Sequence, residues 1–527
     1  MKKLLFAALA ATLLLASCGS EADYAKFIPK DAAVVGRVDV KQMAEKGGFD
    51  ADGQAGQLFK KAINSSNLSQ KGKAMAEKII ADPALAGIDL RKPVYFYSKP
   101  DSVGTHFGII ATVLDKDNLN NFLNFISEEN RMPAVQEYNG VTYIAGHDAI
   151  IAFTDQWLVI KDGINDNAQE AINALLAAEG QSSDLTIESN PGYQRMTEID
   201  GLAQVVVRGS VLADILTYGD YVPNIGNARS QMADFDYIFD LKSDNGSLSL
   251  GCELMAENEQ GRVKMTEIRS YIDEINCDYA DLVDANALLG FITNIKGKDI
   301  SNYFANAGLT AEQIAAIKPY FEALNGDVAF TINAATKDFD NLDLRLVARC
   351  NNPKPFTDIF NNLQGFGFTP GGTDQYSLEL GNAAEMAALI GLADSVYNDS
   401  PATLTAYAGI NNGNSAYLAL STAKKPFDAV AKPIDKGNLH GRTSYVRLNV
   451  TAALELIKVY LANEQSVGRA NDIETSIFLH VLDNFDYAEG YTTTDAKTRL
   501  NLYTKDKDKE GLAVIVNQIA TLINVFG

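Results

Sequence analysis

Little in this 527-residue sequence belongs to metal or thiol chemistry: it has 4 histidines and 4 cysteines. His106, His147, His440 and His480 fall in no HExxH and in no two-histidine ligand spacing, so nothing points to a histidine-based metal centre. Cys252, Cys277 and Cys350 match no zinc spacing either. Cys252 lies in SLSLGCELM and Cys350 ends LDLRLVARC, both strand-like, so these two read as apolar filler. With Cys18 set apart, an odd three cysteines permits at most one internal disulfide.

Tryptophan is scarcer still. Trp157 stands alone, so the usual flat sugar-stacking platform is poorly supplied. There is no GxSxG elbow, Walker loop or SxxK. GFGFTPGG (365–372) has the wrong glycine spacing for a dinucleotide loop and reads as a hairpin. No catalytic residue, metal or cofactor is expected. The 14 prolines are scattered, and no linker or low-complexity stretch stands out.

Cations are also short: 45 Lys and Arg face 67 Asp and Glu, a formal charge of −22. Such a surface repels phosphate backbones, so nucleic acid is excluded as a partner. The acids invite a test for calcium. Asp506–Gly511 imitates the start of a calcium loop, but its twelfth position is Asn517 rather than glutamate. FDADGQAG (49–56) and KDFDNLD (337–343) are equally partial, and all three read as solvated turns. A hydrolase with a dispersed pair of carboxylates stays open, because sequence does not show which acids converge.

Long apolar runs are confined to the start. Lys2 and Lys3 precede the apolar Leu4–Leu15, followed by Ala16, Ser17 and Cys18. This is a secretory signal, too short for a permanent spanning helix. Leu15-Ala16-Ser17-Cys18 resembles the bacterial lipobox, which implies diacylglycerol on the Cys18 sulfur and cleavage before it. Deleting residues 1–17 removes two lysines and no acid, so the mature chain is more acidic by two charges. Ser20, Glu21 and Asp23 then resemble a lipoprotein surface-export signal, with a solvated tether as the alternative reading. The partner implied is a membrane, through the N-terminal lipid, and the expected place is the outer membrane with its leaflet open.

The rest of the chain echoes itself about half a chain apart. Asp31–Gly36 (DAAVVG) is matched by Ala285–Gly290 (ANALLG), and Val205–Arg208 (VVVR) by Ser444–Arg447 (SYVR). Phe235-Asp236-Tyr237 recurs as Phe485-Asp486-Tyr487, and LNNFLNFI (119–126) has its counterpart in FTDIFNNL (356–363). Tandem duplication is the expectation: signal 1–17, tether 18–26, first half 27–275 and second half 276–527.

Within each half, strands come in adjacent runs broken by single helices. KPVYFYS and HFGIIATVL form a hairpin, and VTYIA, AIIAF and WLVIK are three short strands. Leu119, Phe122, Leu123 and Ile126 recur at helical spacing behind Asp117 as cap, and Asp166 is placed to cap AINALLAA. Leu512, Ile515, Val516, Ile519, Leu522 and Ile523 share one stripe of a last helix, whose polar face argues against a membrane anchor. The fold class is therefore α+β, with two related halves of largely antiparallel sheet covered by helices.

FIPKDAAVVGRVDVKQMAEKGG (27–48) and AGIDLRKPVYFY (86–97) resemble the opening and first hairpin of a Bacteroidota lipoprotein family known only as a domain of unknown function. The resemblance implies an envelope lipoprotein and carries over no catalytic residue. The expected function is a non-enzymatic binding or assembly factor with an envelope protein partner. The alternative is a surface glycan- or peptide-binding protein, in which Tyr218 and Tyr221 of LTYGDYVPN stack on the ligand.

Overall fold

A computed structural model describes residues 25–49, 54–65, 68–100, 104–130, 132–164, 166–217, 232–299, 310–333, 342–372, 375–382, 402–422, 425–466 and 479–526. Leu15, Ala16, Ser17, Cys18, Ser20, Glu21, Asp23, Tyr218 and Tyr221 lie outside the described residues, as does most of KDFDNLD. Helix and antiparallel strand are about equally represented, and no described helix is long and apolar enough to cross a membrane.

The chain divides into two compact units, residues 1–258 with 506–527 and residues 259–505. These differ at their edges from contiguous halves at 27–275 and 276–527. The last helix, α12 (Gly511–Phe526), packs in the first unit, while α8 (Glu259–Ser270) belongs with the second.

The first unit is built on strands β1 (Val34–Val38), β2 (Val94–Pro100), β3 (Thr105–Thr112), β4 (Gln136–Tyr138), β5 (Val141–Ala145), β6 (Ala149–Phe153), β7 (Trp157–Asp162), β8 (Ala203–Arg208), β9 (Phe235–Asp244) and β10 (Ser247–Ala256). Their ladders run in the order β10-β9-β8-β1-β2-β3-β7-β6-β5-β4, every pair antiparallel. Alternation along each strand gives the sheet two apolar faces. One face buries Val35, Tyr95, Tyr97, Ile110, Trp157, Val206 and Ile238. The other buries Val38, Val94, Ala111 and Phe153 beneath Leu119, Phe122, Leu123 and Ile126 of α4 (Lys116–Asn130).

Two helix caps sit beside the expected residue. The Asn118 amide donates to Asp115 at the start of α4, and Asn167, not Asp166, caps α5 (Ala168–Glu179). Neighbouring Asp and Asn are chemically equal as caps, and backbone geometry chooses between them. In α12, Val514 and Ala520 are buried while Ile519 is half exposed, so the stripe is displaced from the expected one. This helix is held by Ser243, whose hydroxyl accepts the Leu512 amide at 3.0 Å and donates to Glu510 at 2.8 Å.

The second unit carries β11 (Ile272–Asp273), β12 (Leu289–Lys296), β13 (Leu324–Asn333), β14 (Asp343–Cys350), β15 (Thr369–Gly372), β16 (Gln375–Asn382), β17 (Thr403–Asn411), β18 (Ser415–Ser421), β19 (Arg442–Asn449), β20 (Phe485–Thr493) and β21 (Lys497–Thr504). Apart from the two-residue β11, which flanks β12, the order is β21-β20-β19-β12-β13-β14-β18-β17-β16-β15. This is the strand order of the first unit, position for position.

All four sequence echoes fall on matching elements: β1 with β12, β8 with β19, β9 with β20, and α4 with α10 (Lys354–Asn362). Their registers disagree, however. Val206 pairs with Val35 and Tyr445 with Ile292. Aligning VVVR with SYVR therefore sets Val35 on Ile292, three residues beyond the Leu289 that the first echo would give it. Likewise Arg208 faces Asp236, whereas Arg447 faces Glu489 rather than Asp486. An odd slip puts a side chain on the opposite face, so apolar likeness between strands does not fix register.

Candidate functional site

A group of interacting polar and aromatic side chains lies on one face of β19, β20 and β21. Alternation puts Tyr445 and Arg447 of β19 on the same face as Tyr487, Glu489 and Tyr491 of β20, and the ladder sets Tyr503 of β21 beside Tyr487. A register shift between Arg442 and Ser444 turns Arg442 onto this face as well.

Glu489 is the centre of the group, buried at 6% exposure. One of its oxygens accepts from the Tyr445 hydroxyl and from Arg447 Nη1, each at 2.5 Å. The Tyr503 hydroxyl bonds the same carboxylate. Arg447 also donates from Nε to the Ala285 carbonyl at 2.9 Å, and its guanidinium stands 3.6 Å from the Tyr487 ring centre. Tyr487 in turn stacks on Tyr503, with centroids 4.4 Å apart. Arg442 lies 3.8 Å from the Tyr491 ring and 5.5 Å from that of Tyr445, and its Nη1 has no acceptor among the described residues.

The electrostatics follow from burial and from the single carboxylate. Burial, reinforced by Glu489, pushes the Tyr503 phenol up to about 12 and raises those of Tyr445 and Tyr487. Burial opposes the Arg447 charge, but Tyr445 and Glu489 outweigh it and its pKa rises. These phenols stay protonated as donors, and Arg447 stays charged. The cluster fixes guanidinium groups against aromatic rings and presents their remaining donors. Its ring faces are occupied by one another and by arginine, so it is not an open stacking platform.

The residues singled out in the sequence are scattered by comparison. Cys350 is buried, Cys252 and Cys277 are half-buried, and all three are free thiols. His147 Nδ1 lies 2.6 Å from Asp166 at an exposed turn, and His106 3.4 Å from Asp162. Trp157 packs its ring 5.0 Å from Phe27 in the first unit's core. Asp506 accepts from the Asp508 amide in an ordinary turn, and no group of three or more metal-ligating side chains forms among the described residues. Reading Phe235-Asp236-Tyr237 and Phe485-Asp486-Tyr487 only as echoes overlooks a local signal. In FDYAEGY, Tyr487, Glu489 and Tyr491 recur every second residue, which in a strand means one face.

The first unit has a related pair in a different setting. Arg208 faces Asp236, which is 2% exposed and lies beneath α6 (Pro191–Glu198). Gly192 lets the helix approach, since a Cβ there would stand 2.6 Å from Asp236 Oδ2. Burial, then Glu257, push the Asp236 carboxyl up to about 6. Three residues beyond Gly192 on α6, Arg195 donates two bonds to Glu253 Oε2, each at 3.0 Å.

Ladders and layers together define an α+β protein of antiparallel sheet, its two units sharing one strand order. The family model described as a domain of unknown function (DUF4836) matches residues 24–512, and the chain belongs to that family. Among solved structures, crystal form III of TP0453 is similar at 11% identity and TM-score 0.27, over 48% of this chain and 89% of that one. Crystal form I of the same protein is similar at 12% identity and TM-score 0.26, over 48% and 88%. Likeness at that level carries no argument about this chain. A search of characterised proteins finds no significant match.

Proposed function

We propose that the protein is a lipid-anchored component of a bacterial cell envelope, held at the outer membrane through Cys18 and acting as a non-enzymatic binding or assembly factor. The observation that carries this reading is the order of charge, apolar run, small residues and cysteine in Lys2–Cys18. A thiol at that place is a nucleophile for diacylglycerol, and the several acyl chains of a mature lipoprotein anchor stably where one would not. The resemblance of residues 27–48 and 86–97 to Bacteroidota lipoproteins supports the same reading. A tandem duplication is the simplest origin for two units of identical strand order, and the four echoes on matching elements favour it.

The second reading is a surface protein that binds glycan or peptide. What favours it is the arginine–tyrosine face of β19–β21, which offers hydrogen-bond donors on a rigid base. The anchor is tested by metabolic acyl labelling. Wild type takes up label and loses its signal segment, whereas Cys18→Ala is unlabelled and uncleaved. Processed, membrane-retained protein in the variant would refute the anchor. Crosslinked affinity purification then separates the readings: a stoichiometric envelope partner lost with the anchor means assembly, and its absence favours ligand binding.

A further inference from the structure

We infer that the face formed by β19, β20 and β21 receives an oxyanion, carboxylate or phosphate, with Arg442 as its principal donor. The inference needs neither the lipid anchor nor a protein partner.

Charge is the first argument. Arg442 and Arg447 both lie on this face. The carboxylate among them, Glu489, is already engaged by Tyr445, Arg447 and Tyr503. In a chain of formal charge −22, two guanidinium groups thus share this face with Glu489. Arg447, bonded to Ala285 and Glu489, mainly holds the cluster.

Arg442 is the second argument. It is half-buried, rests on the Tyr491 ring, and makes no ion pair with an acid among the described residues. Its Nη1 is removed from water with no acceptor among the described residues. A guanidinium that only packed on aromatics would leave that donor unmet at a cost, which an incoming oxyanion removes. The planar fork suits the two oxygens of a carboxylate or two of a phosphate, and the surrounding rings reduce screening by water. The strand irregularity between Arg442 and Ser444 is what brings this side chain over Tyr445 and Tyr491.

The test uses the full chain carrying Cys18→Ala, titrated with sodium phosphate and with sodium glucuronate against sodium chloride at equal ionic strength. The expected result is a rise in melting temperature with at least one oxyanion and none with chloride. Arg442→Gln should lose the rise, and Arg442→Lys should retain a weaker one. A response to phosphate alone or to glucuronate alone assigns the source, and a response to both assigns a general oxyanion site. Should Arg442→Gln not fold, arginine-selective labelling of the wild type reads the same contact, with the oxyanion protecting Arg442. No rise beyond chloride, or an undiminished rise in a folded Arg442→Gln, overturns the inference.

Discussion

Arg208 facing Asp236 and Arg447 facing Glu489 occupy the same place in two units of one strand order, and the two units treat them differently. Between β7 and β8 the first unit inserts α5 and α6, and α6 covers the pair and closes onto β10 through Arg195 and Glu253. Between β18 and β19 the described residues of the second unit contain no α-helix, only a short turn at Lys436–Asn438. The acid is then satisfied from within the sheet, by tyrosines and arginine, instead of lying under a helix. One topology thus yields an acid under a helix in one unit and, in the other, a buried acid ringed by mostly half-buried tyrosines and arginines. The connection, more than the ladder, decides how the acid is satisfied.

The connections are also held differently, and this gives the largest expected effect. In the second unit, Arg345 is 1% exposed, bonds both oxygens of Asp343 at 2.8 and 2.7 Å, and ties down the segment through the Pro426 and Asp428 carbonyls. Asp343→Ala strands that charge and should cost about 3–5 kcal/mol, read by urea unfolding with hydrogen exchange localising the loss to 259–505. The matching connection in the first unit combines the Arg195–Glu253 pair with a buried apolar side chain. Met196→Ala, at a side chain with 0% exposure, should cost roughly 2–5 kcal/mol and loosen β8 and β9. Equal losses in both units from either substitution would contradict the contrast.

The closed pair also carries a pH dependence. Asp236 titrates near 6 in the folded protein, above its unfolded value near 3.8. A raised carboxyl stabilises most below the unfolded pKa, and that contribution is lost as pH rises through about 6. Across this window the advantage of wild type over Asp236→Asn should fall by roughly 2–3 kcal/mol. A flat difference from pH 4 to 7 would mean that α6 does not bury the acid. The smallest effect belongs to the last helix, where Ser243→Ala should cost about 1–2 kcal/mol and free the Leu512 amide to exchange.

Much of the fold is legible in local pattern. The hairpin of β2 and β3, the three strands β5 to β7 and the α4 stripe all follow from alternation or helical spacing. What fails is whatever depends on a choice among like neighbours, such as Asp115 over Asp117 or Asn167 over Asp166 as caps. Strand echoes identify matching elements but miss register by three residues, because valine, leucine and isoleucine fit several alignments equally well. The candidate site was half readable. FDYAEGY declares one polar-aromatic face, but Tyr445, Arg447 and Tyr503 join it only through cross-strand pairing, which no local period encodes. Arg442 depends on a strand irregularity that nothing in the sequence marks.

The contrast between the two units is tested most directly by side-chain footprinting of the folded full chain, with tyrosine oxidation mapped residue by residue. Tyr487, Tyr491 and Tyr503, all half-buried, should react, while Tyr193 and Tyr95 beneath the first unit's connection and the 1%-exposed Tyr445 stay protected. Protection of the first three to the level of Tyr193 would mean that the second unit's face is as closed as the first's, and the account would be wrong.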